Sequence, residues 1–355
     1  MIRSRGAGQA VIVACLYREH ATGKSLRQSR PLNQTPRTPS GWIGIHNQSM
    51  FNVHDLSVEI PLGAMTVVAG VAGSGKSTLA NRILPRLHPD VVVIDQSELR
   101  GSSRSTPASY LGILDDIRRL FARRSGKPVG LFSANAAGAC PVCKGRGIVR
   151  TDLAFLDTVE AVCEACDGSG YSEEARSVHV GGCSIDKVMS MRAPEARRLF
   201  SGEKPVSAAL GHMEQAGLGY MQIGQRLSTL SGGERQRLKL AAELGRTGRT
   251  YVFDEPTSGL HMADVRRLIR LFGALADQGM TLIVVEHNLD MIAAADHLIE
   301  MGPGAGKRGG RIIYQGSPAG MLADGGSVTG PFLAEYLSVG SSAHETKRKR
   351  VVMSR

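Results

Sequence analysis

The chain has 355 residues, 42% of them hydrophobic, and a formal net charge of +11. That apolar share supports one large or two modest cores and excludes a disordered chain. No apolar run approaches the roughly 20 residues a membrane helix requires, which excludes a transporter carrying its own spans. The charge is unevenly spread: residues 1–40 hold seven Lys/Arg against one acid and 341–355 five against one, while 97–150 carry ten against three. The two ends read as solvated basic tails. The 97–150 stretch, with Arg118, Arg119, Arg123 and Arg124, is the better candidate for contact with phosphates.

In chain order, residues 1–40 are rich in Arg, Gln, Ser, Thr and Pro and predict an unstructured basic segment or linker remnant. Residues 10–17 behind Arg3 and Arg5 imitate the core of a signal peptide, but no small-residue cleavage pattern stands out. Gly23-Lys24-Ser25 is a chance match, since Arg18 stands where a phosphate loop needs glycine. From Trp42 the pattern changes. Alternation predicts a half-buried strand at 56–60, a buried strand at 65–69, a helix from Lys76, a strand at 91–94 and a helix at 110–124. A turn-rich region at 130–171 precedes a helix at 194–210 and another ending near 244. Strand 250–253, helix 262–276 and strand 281–285 complete the series. Strands alternating with helices predict an α/β fold with a parallel, helix-flanked sheet.

Gly70-Val-Ala-Gly73-Ser74-Gly75-Lys76-Ser77-Thr78 matches the phosphate-loop pattern between a strand and a helix. Its glycines let backbone amides face phosphates, Lys76 reaches the β/γ-phosphates of ATP, and the Ser77 hydroxyl can ligate Mg²⁺. Asp254-Glu255 ends an apolar strand, where ligands of open α/β sheets sit. Asp254 is the expected Mg²⁺ holder and Glu255 the group that orients or deprotonates the attacking water. His287, ending the 281–285 strand, can reach a γ-phosphate. Cys140-x2-Cys143-x19-Cys163-x2-Cys166 has the spacing of a structural zinc site, and the glycines behind each pair permit the turns that wrap a metal. Cys15 and Cys183 are left unmatched, so zinc in a reducing cytoplasm is expected rather than a disulfide framework.

Leu230-Ser231-Gly232-Gly233-Glu234 resembles the signature of ATP-binding cassette ATPases. Together with the phosphate loop, Gln96, Asp254-Glu255, Ser258-Gly-Leu-His261 and His287, it covers the cassette in that family's order. The resemblance implies an ATP-binding cassette with a P-loop NTPase fold and a zinc-bearing insertion between phosphate loop and signature. It also implies that Ser231, Gly232, Gly233 and Glu234 serve the ATP of an opposite cassette, so a homodimer or a pairing with another cassette chain is expected. Gln96, Glu255 and His287 are the implied catalytic set. The expected organisation is a basic segment at 1–40, cassette at 41–125, zinc insertion at 126–200, signature and remaining cassette at 201–340, and a basic tail at 341–355.

Cassette plus insertion is similar to the UvrA family of DNA-damage recognition ATPases, the likeness running from about residue 50 to about 320. Asp95-Gln96-Ser97, Arg104-Ser-Thr-Pro-Ala-Ser-Tyr110 and Asp116-Ile-Arg-Arg-Leu-Phe121 carry it, as do 250–261 and Val285-Glu-His-Asn-Leu-Asp290. It implies a cytoplasmic ATPase that binds duplex DNA and senses deformation in nucleotide excision repair, with the insertion against the DNA. UvrA-type chains usually hold two cassettes and the partner-binding domain lies in the first half, so a UvrB-type partner is not implied. Phe132-Ser-Ala-Asn135-Ala-Ala-Gly-Ala139 lacks basic residues and resembles UvrA-like paralogues of antibiotic self-resistance. A truncated half that binds zinc and DNA without turnover is the third reading.

Overall fold

A mostly parallel sheet of six strands organises the phosphate loop and the acidic strand end in the computed structural model, which describes residues 32–99, 102, 104–151, 159–244 and 249–338. The chain divides into two compact units, one made of Met1–Gln96 with Gly245–Arg355, the other of Ser97–Leu244. The signal-peptide imitation, Cys15, the 23–25 match and the 341–355 tail all lie outside the described residues.

In the first unit the sheet order is Arg311–Gly316, His297–Gly302, Met65–Gly70, Thr281–Val285, Thr250–Asp254, Val92–Ile94. All neighbours are parallel except the Arg311–Gly316 edge, which pairs antiparallel with His297–Gly302. Met65–Gly70 and Thr281–Val285 are apolar, β-branched runs buried on both faces, as central parallel strands must be. Phe253 stacks against Phe272 of the helix Met262–Asp277 with ring centroids 4.6 Å apart. Because five of the strands run the same way, the carboxyl ends of four of them gather the phosphate loop after Gly70, Gln96 after Ile94, Glu255 after Asp254 and His287 after Val285.

An antiparallel pair, Trp42–Met50 with Val53–Pro61, adds Ile43, Ile45, Val53, Leu56, Val58 and Ile60 to a core shared with Leu79, Ile83, Val252 and Ile283. The strand expected at 56–60 is thus the second half of a hairpin. Chain expected to be unstructured is tied down from Asn33 onward. The Asp296 carboxylate, inside the core, accepts hydrogen bonds from the Arg37 guanidinium at 2.8 Å, the Arg37 and Met65 amides at 3.0 and 2.9 Å, and the Asn33 side chain at 3.1 Å. A buried carboxylate is tolerated only when so satisfied.

The second unit is largely helical and carries its own core, which includes Ile117, Phe121, Phe132, Ile185, Leu210, Met213 and Leu238. The helix expected at 110–124 is two pieces, Pro107–Tyr110 and Leu114–Ser125, separated by Gly112 in the left-handed region. The one expected at 194–210 divides likewise into Ala193–Leu199 and Lys204–Gln215, each with a proline in its first turn. Inside this unit lie the two cysteine pairs and a small hairpin, Ile148–Thr151 with Val159–Val162. The insertion expected at 126–200 falls wholly within it.

Candidate nucleotide and metal sites

The strand Met65–Gly70 enters the phosphate loop through glycine by necessity: at Gly70, φ is +128° and a Cβ would lie 2.0 Å from the Met301 carbonyl oxygen. Gly75 leads into the helical stretch that starts at Lys76. Lys76 is 6% exposed, and its ammonium donates to the carbonyls of Gly70 and Val71, 2.9 Å each. Burial pulls its pKa below the usual lysine value, while Glu255 and Asp254 pull the other way. Ser77 is exposed at the same loop end. The Ser74 hydroxyl and the Asn81 amide oxygen, both shielded from water, meet no hydrogen-bond partner among the described residues. Buried polar atoms of this kind fit a loop built to receive a phosphate and its cation.

Across the strand ends, Asp254 accepts a 2.6 Å hydrogen bond from the Asn81 side chain. Burial raises its carboxyl above the ordinary range, Asn81 opposes that, and the neighbouring Glu255 and Asp95 add to the rise. Glu255 has a φ of +47°, rare for a residue with a side chain. Its amide donates to the Val285 carbonyl at 3.0 Å, and its carbonyl accepts from the Gln96 side chain at 3.3 Å. Its carboxylate stands 3.5 Å from His287 Nε2. The buried Glu286 carboxylate accepts from the amides of Thr257, His287 and Asn288 and so fixes the turn that presents His287. The fold therefore brings Gln96, Asp254, Glu255 and His287 together with Lys76.

One residue of this region was not read from the sequence. Phe51, at the tip of the N-terminal hairpin, is 77% exposed. The next side chain, Asn52, donates to the Gly73 carbonyl at 3.1 Å, so the tip abuts the phosphate loop. The signal was an aromatic side chain in a turn-like stretch, His54 and Asn52 beside it, where no core position was expected.

The signature lies in the second unit. Ser231 caps the helix Gly232–Glu243 through a reciprocal box with Glu234: the Glu234 amide donates to Ser231 Oγ at 3.3 Å, and the Ser231 amide donates to the Glu234 carboxylate at 2.8 Å. Tyr220 donates a further 2.6 Å hydrogen bond to that carboxylate. Burial would raise the Glu234 carboxyl, but these donors outweigh it and hold it below its ordinary value. The box leaves Gly232 and Gly233 as the helix's first residues, where outward amides meet the positive end of the dipole.

Of the four arginines expected to face phosphates, three are engaged with acids. Arg118 pairs with Asp115 at 2.9 Å, Arg119 with Asp116 at 2.6 Å, and Arg123 with Glu203 at 3.5 Å. Arg124 is exposed at the end of the same helix. Asp115 with Arg118 and Asp116 with Arg119 stand three residues apart, the spacing at which opposite charges meet on a helix face.

Cys140, Cys143, Cys163 and Cys166 are all buried, and their sulfurs lie within 4.8 Å of one another, with Cys140 to Cys163 at 4.0 Å and Cys143 to Cys166 at 3.7 Å. A tetrahedral zinc with bonds of about 2.3 Å sets sulfurs roughly 3.8 Å apart, so the donor set fits such an ion. The Gly147 and Gly170 amides donate to Cys143 and Cys166 sulfurs at 3.2 and 3.3 Å. Backbone amide donation pulls the Cys140 thiol down to about 7, whereas burial pushes Cys166 up to about 12. Four thiolates would leave no coordination position open, which suits a structural ion rather than a catalytic one.

A phosphate loop, an Asp-Glu strand end, a strand-end histidine and a signature helix make a nucleotide-binding cassette. The protein-family model described as ABC transporter matches residues 53–258, and the chain belongs to that family of ATP-binding cassette ATPases. Among the described residues no helix is long and apolar enough to cross a membrane.

Within the family the chain is homologous to UvrA. It is 41% identical to UvrABC system protein A of Methanothermobacter thermautotrophicus, over 88% of this chain and 36% of that protein. To UvrABC system protein A of Streptomyces coelicolor it is also 41% identical, over 90% of this chain and 35% of the relative. The crystal structure of UvrA2 from Deinococcus radiodurans superposes with a TM-score of 0.82 at 40% identity, over 90% of this chain and 43% of the other. The chain thus spans about a third of the length of the curated relatives it matches.

Proposed function

We propose that this chain is a UvrA-type ATPase that couples ATP binding and hydrolysis to recognition of damaged or distorted duplex DNA in nucleotide excision repair. The observation that carries this reading is a four-cysteine knuckle within an ATP-binding cassette whose sequence is 41% identical to UvrABC system protein A. In this reading the amides of Gly70, Gly73 and Gly75, with Ser74, Lys76 and Thr78, hold the phosphates, while Ser77 and Asp254 hold Mg²⁺. Glu255, steadied by His287 and Gln96, orients the attacking water. Phe51 offers its ring to the adenine. Ser231, Gly232, Gly233 and Glu234 donate to the nucleotide of a second cassette, in a homodimer or a pairing with another cassette chain. Zinc in the cysteine cluster stiffens the surface that meets the duplex, and the protein works in the cytoplasm.

Equilibrium binding of labelled duplexes, with and without a helix-distorting lesion, tests this at fixed salt with ATP present. Tighter binding of the lesion duplex is expected; equal affinity for both would count against damage recognition. The basic-residue-free stretch Phe132 to Ala139 favours a second reading, a drug self-resistance paralogue. That reading predicts preference for a drug-loaded duplex over a lesion-bearing one.

A further inference from the structure

In the second unit a cavity of about 250 Å³ opens at the foot of the cysteine knuckle. Four arginines, Arg104, Arg118, Arg146 and Arg226, line it, and Ser169 and Tyr171 stand among its hydroxyl-bearing walls. Among the described residues no aspartate or glutamate lines it. The volume far exceeds the space one water occupies, and the wall offers fork-shaped cationic donors of the kind that match phosphate oxygens.

The cavity is built rather than incidental. Gly145, behind the first cysteine pair, approaches the chain so closely that a Cβ there would lie 1.8 Å from the Ala134 carbonyl oxygen. The Arg226 guanidinium donates to the Arg146 carbonyl, fastening the 226 segment to the knuckle. Arg104 is held by a 2.8 Å hydrogen bond to the Asn135 amide oxygen. The Arg118 side chain, 15% exposed, donates to the Phe132 carbonyl at 3.3 Å, and its Asp115 partner is 73% exposed. Each guanidinium for which these bonds are described retains donors beyond them. Tyr171 is buried, and its phenol, pushed up to about 12 chiefly by burial, stays a neutral donor.

We propose that this cavity is a phosphate-binding pocket, which takes a phosphate group of a nucleic-acid strand or a free phosphate anion at the foot of the cysteine knuckle. As a strand site it rests on the duplex-binding reading above, and of the contacts expected on the helix Leu114–Ser125 it keeps Arg118 and leaves out Arg119, Arg123 and Arg124.

The test is the double variant R104Q/R146Q, both positions exposed, in the full chain with a non-hydrolysable ATP analogue filling the nucleotide site. Duplex affinity is measured across a salt series, and inorganic phosphate binding by ³¹P line broadening. Two lost phosphate contacts should make the slope of log affinity against log salt shallower by about 2. That result assigns the pocket to strand phosphate. An unchanged slope with a loss of phosphate broadening would assign it to a free anion.

The proposal is overturned if the double variant matches the parent in both measurements, or if R119Q, on the acid-paired face, reproduces its losses. If the parent binds no duplex, the repair reading fails, and the phosphate arm still decides the pocket. Zinc content and circular dichroism report folding. The variant R104K/R146K, which keeps charge without the fork, should retain the slope while losing affinity several-fold; a slope as shallow as that of the glutamine variant would contradict the pocket geometry.

Discussion

Replacing Glu255 by glutamine isolates the proposed role of its carboxylate. The backbone there is strained, with φ at +47°, yet glutamine has the same shape and no greater conformational penalty. The restraints on that backbone, the Val285 carbonyl 3.0 Å from the Glu255 amide and Gln96 3.3 Å from its carbonyl, do not involve the carboxylate. What changes is the charge facing His287 across 3.5 Å and the capacity to accept a proton from water. Positioned general bases contribute about 10² to 10⁴ in rate, or roughly 3–5 kcal/mol of barrier. Single-turnover hydrolysis should therefore slow by at least about a hundredfold. Nucleotide affinity by equilibrium titration should change by less than about threefold, because Lys76 and the loop amides are untouched. Hydrolysis within about threefold of the parent would refute the assignment of Glu255, whatever the affinity showed.

Other outcomes follow from the same geometry. Asp254 has a raised pKa, so its charged form is the one the fold disfavours; D254N should raise the melting temperature of the nucleotide-free protein at pH 7. The sign follows from linkage: the folded state holds this proton more tightly, so the charge costs stability above the raised pKa and the advantage of asparagine shrinks as pH falls below it. The same variant should lose the stabilisation by Mg-ATP seen in a thermal shift assay. Removing the exposed ring with F51A should weaken ATP binding about tenfold, since stacking on a base is worth about 1–3 kcal/mol; fluorescent-nucleotide titration measures it. C163S should reduce bound zinc below one ion per chain by elemental analysis and lower the melting transition, because structural zinc supplies folding energy directly.

How much was legible depended on whether the chemistry was local. Gly70 to Thr78, Asp254-Glu255 and the cysteine pairs announce themselves because backbone phosphate cradles and thiolate tetrahedra demand fixed residues at fixed spacings. The same is true of the Ser231 to Glu234 box, whose two hydrogen bonds span three residues. The strand His297–Gly302 was not read, and Glu300 shows why. It is fully buried and interrupts the apolar run, and its carboxylate is satisfied by Ser327 at 2.6 Å and Thr329 at 2.5 Å. No local pattern reveals partners that arrive 27 and 29 residues later.

The N-terminal hairpin was half-read for a related reason. Register shifts between Ile45 and Met50, with Asn47, Phe51 and Asp55 at positive φ, break the alternation that marks a strand. Phe51 went unread with it. The arginine cluster was legible only as net charge: the count over 97–150 includes Asp115 and Asp116, but which arginine each acid meets, and that Arg123 meets the distant Glu203, comes from the fold.

The central claim is that ATP turnover in this chain is coupled to duplex DNA. Steady-state hydrolysis by the zinc-loaded protein, measured with Mg²⁺ and with no DNA, intact duplex or lesion-bearing duplex, tests it most directly. The account predicts measurable turnover that changes with duplex, and changes more with the lesion; turnover identical under all three conditions would contradict it.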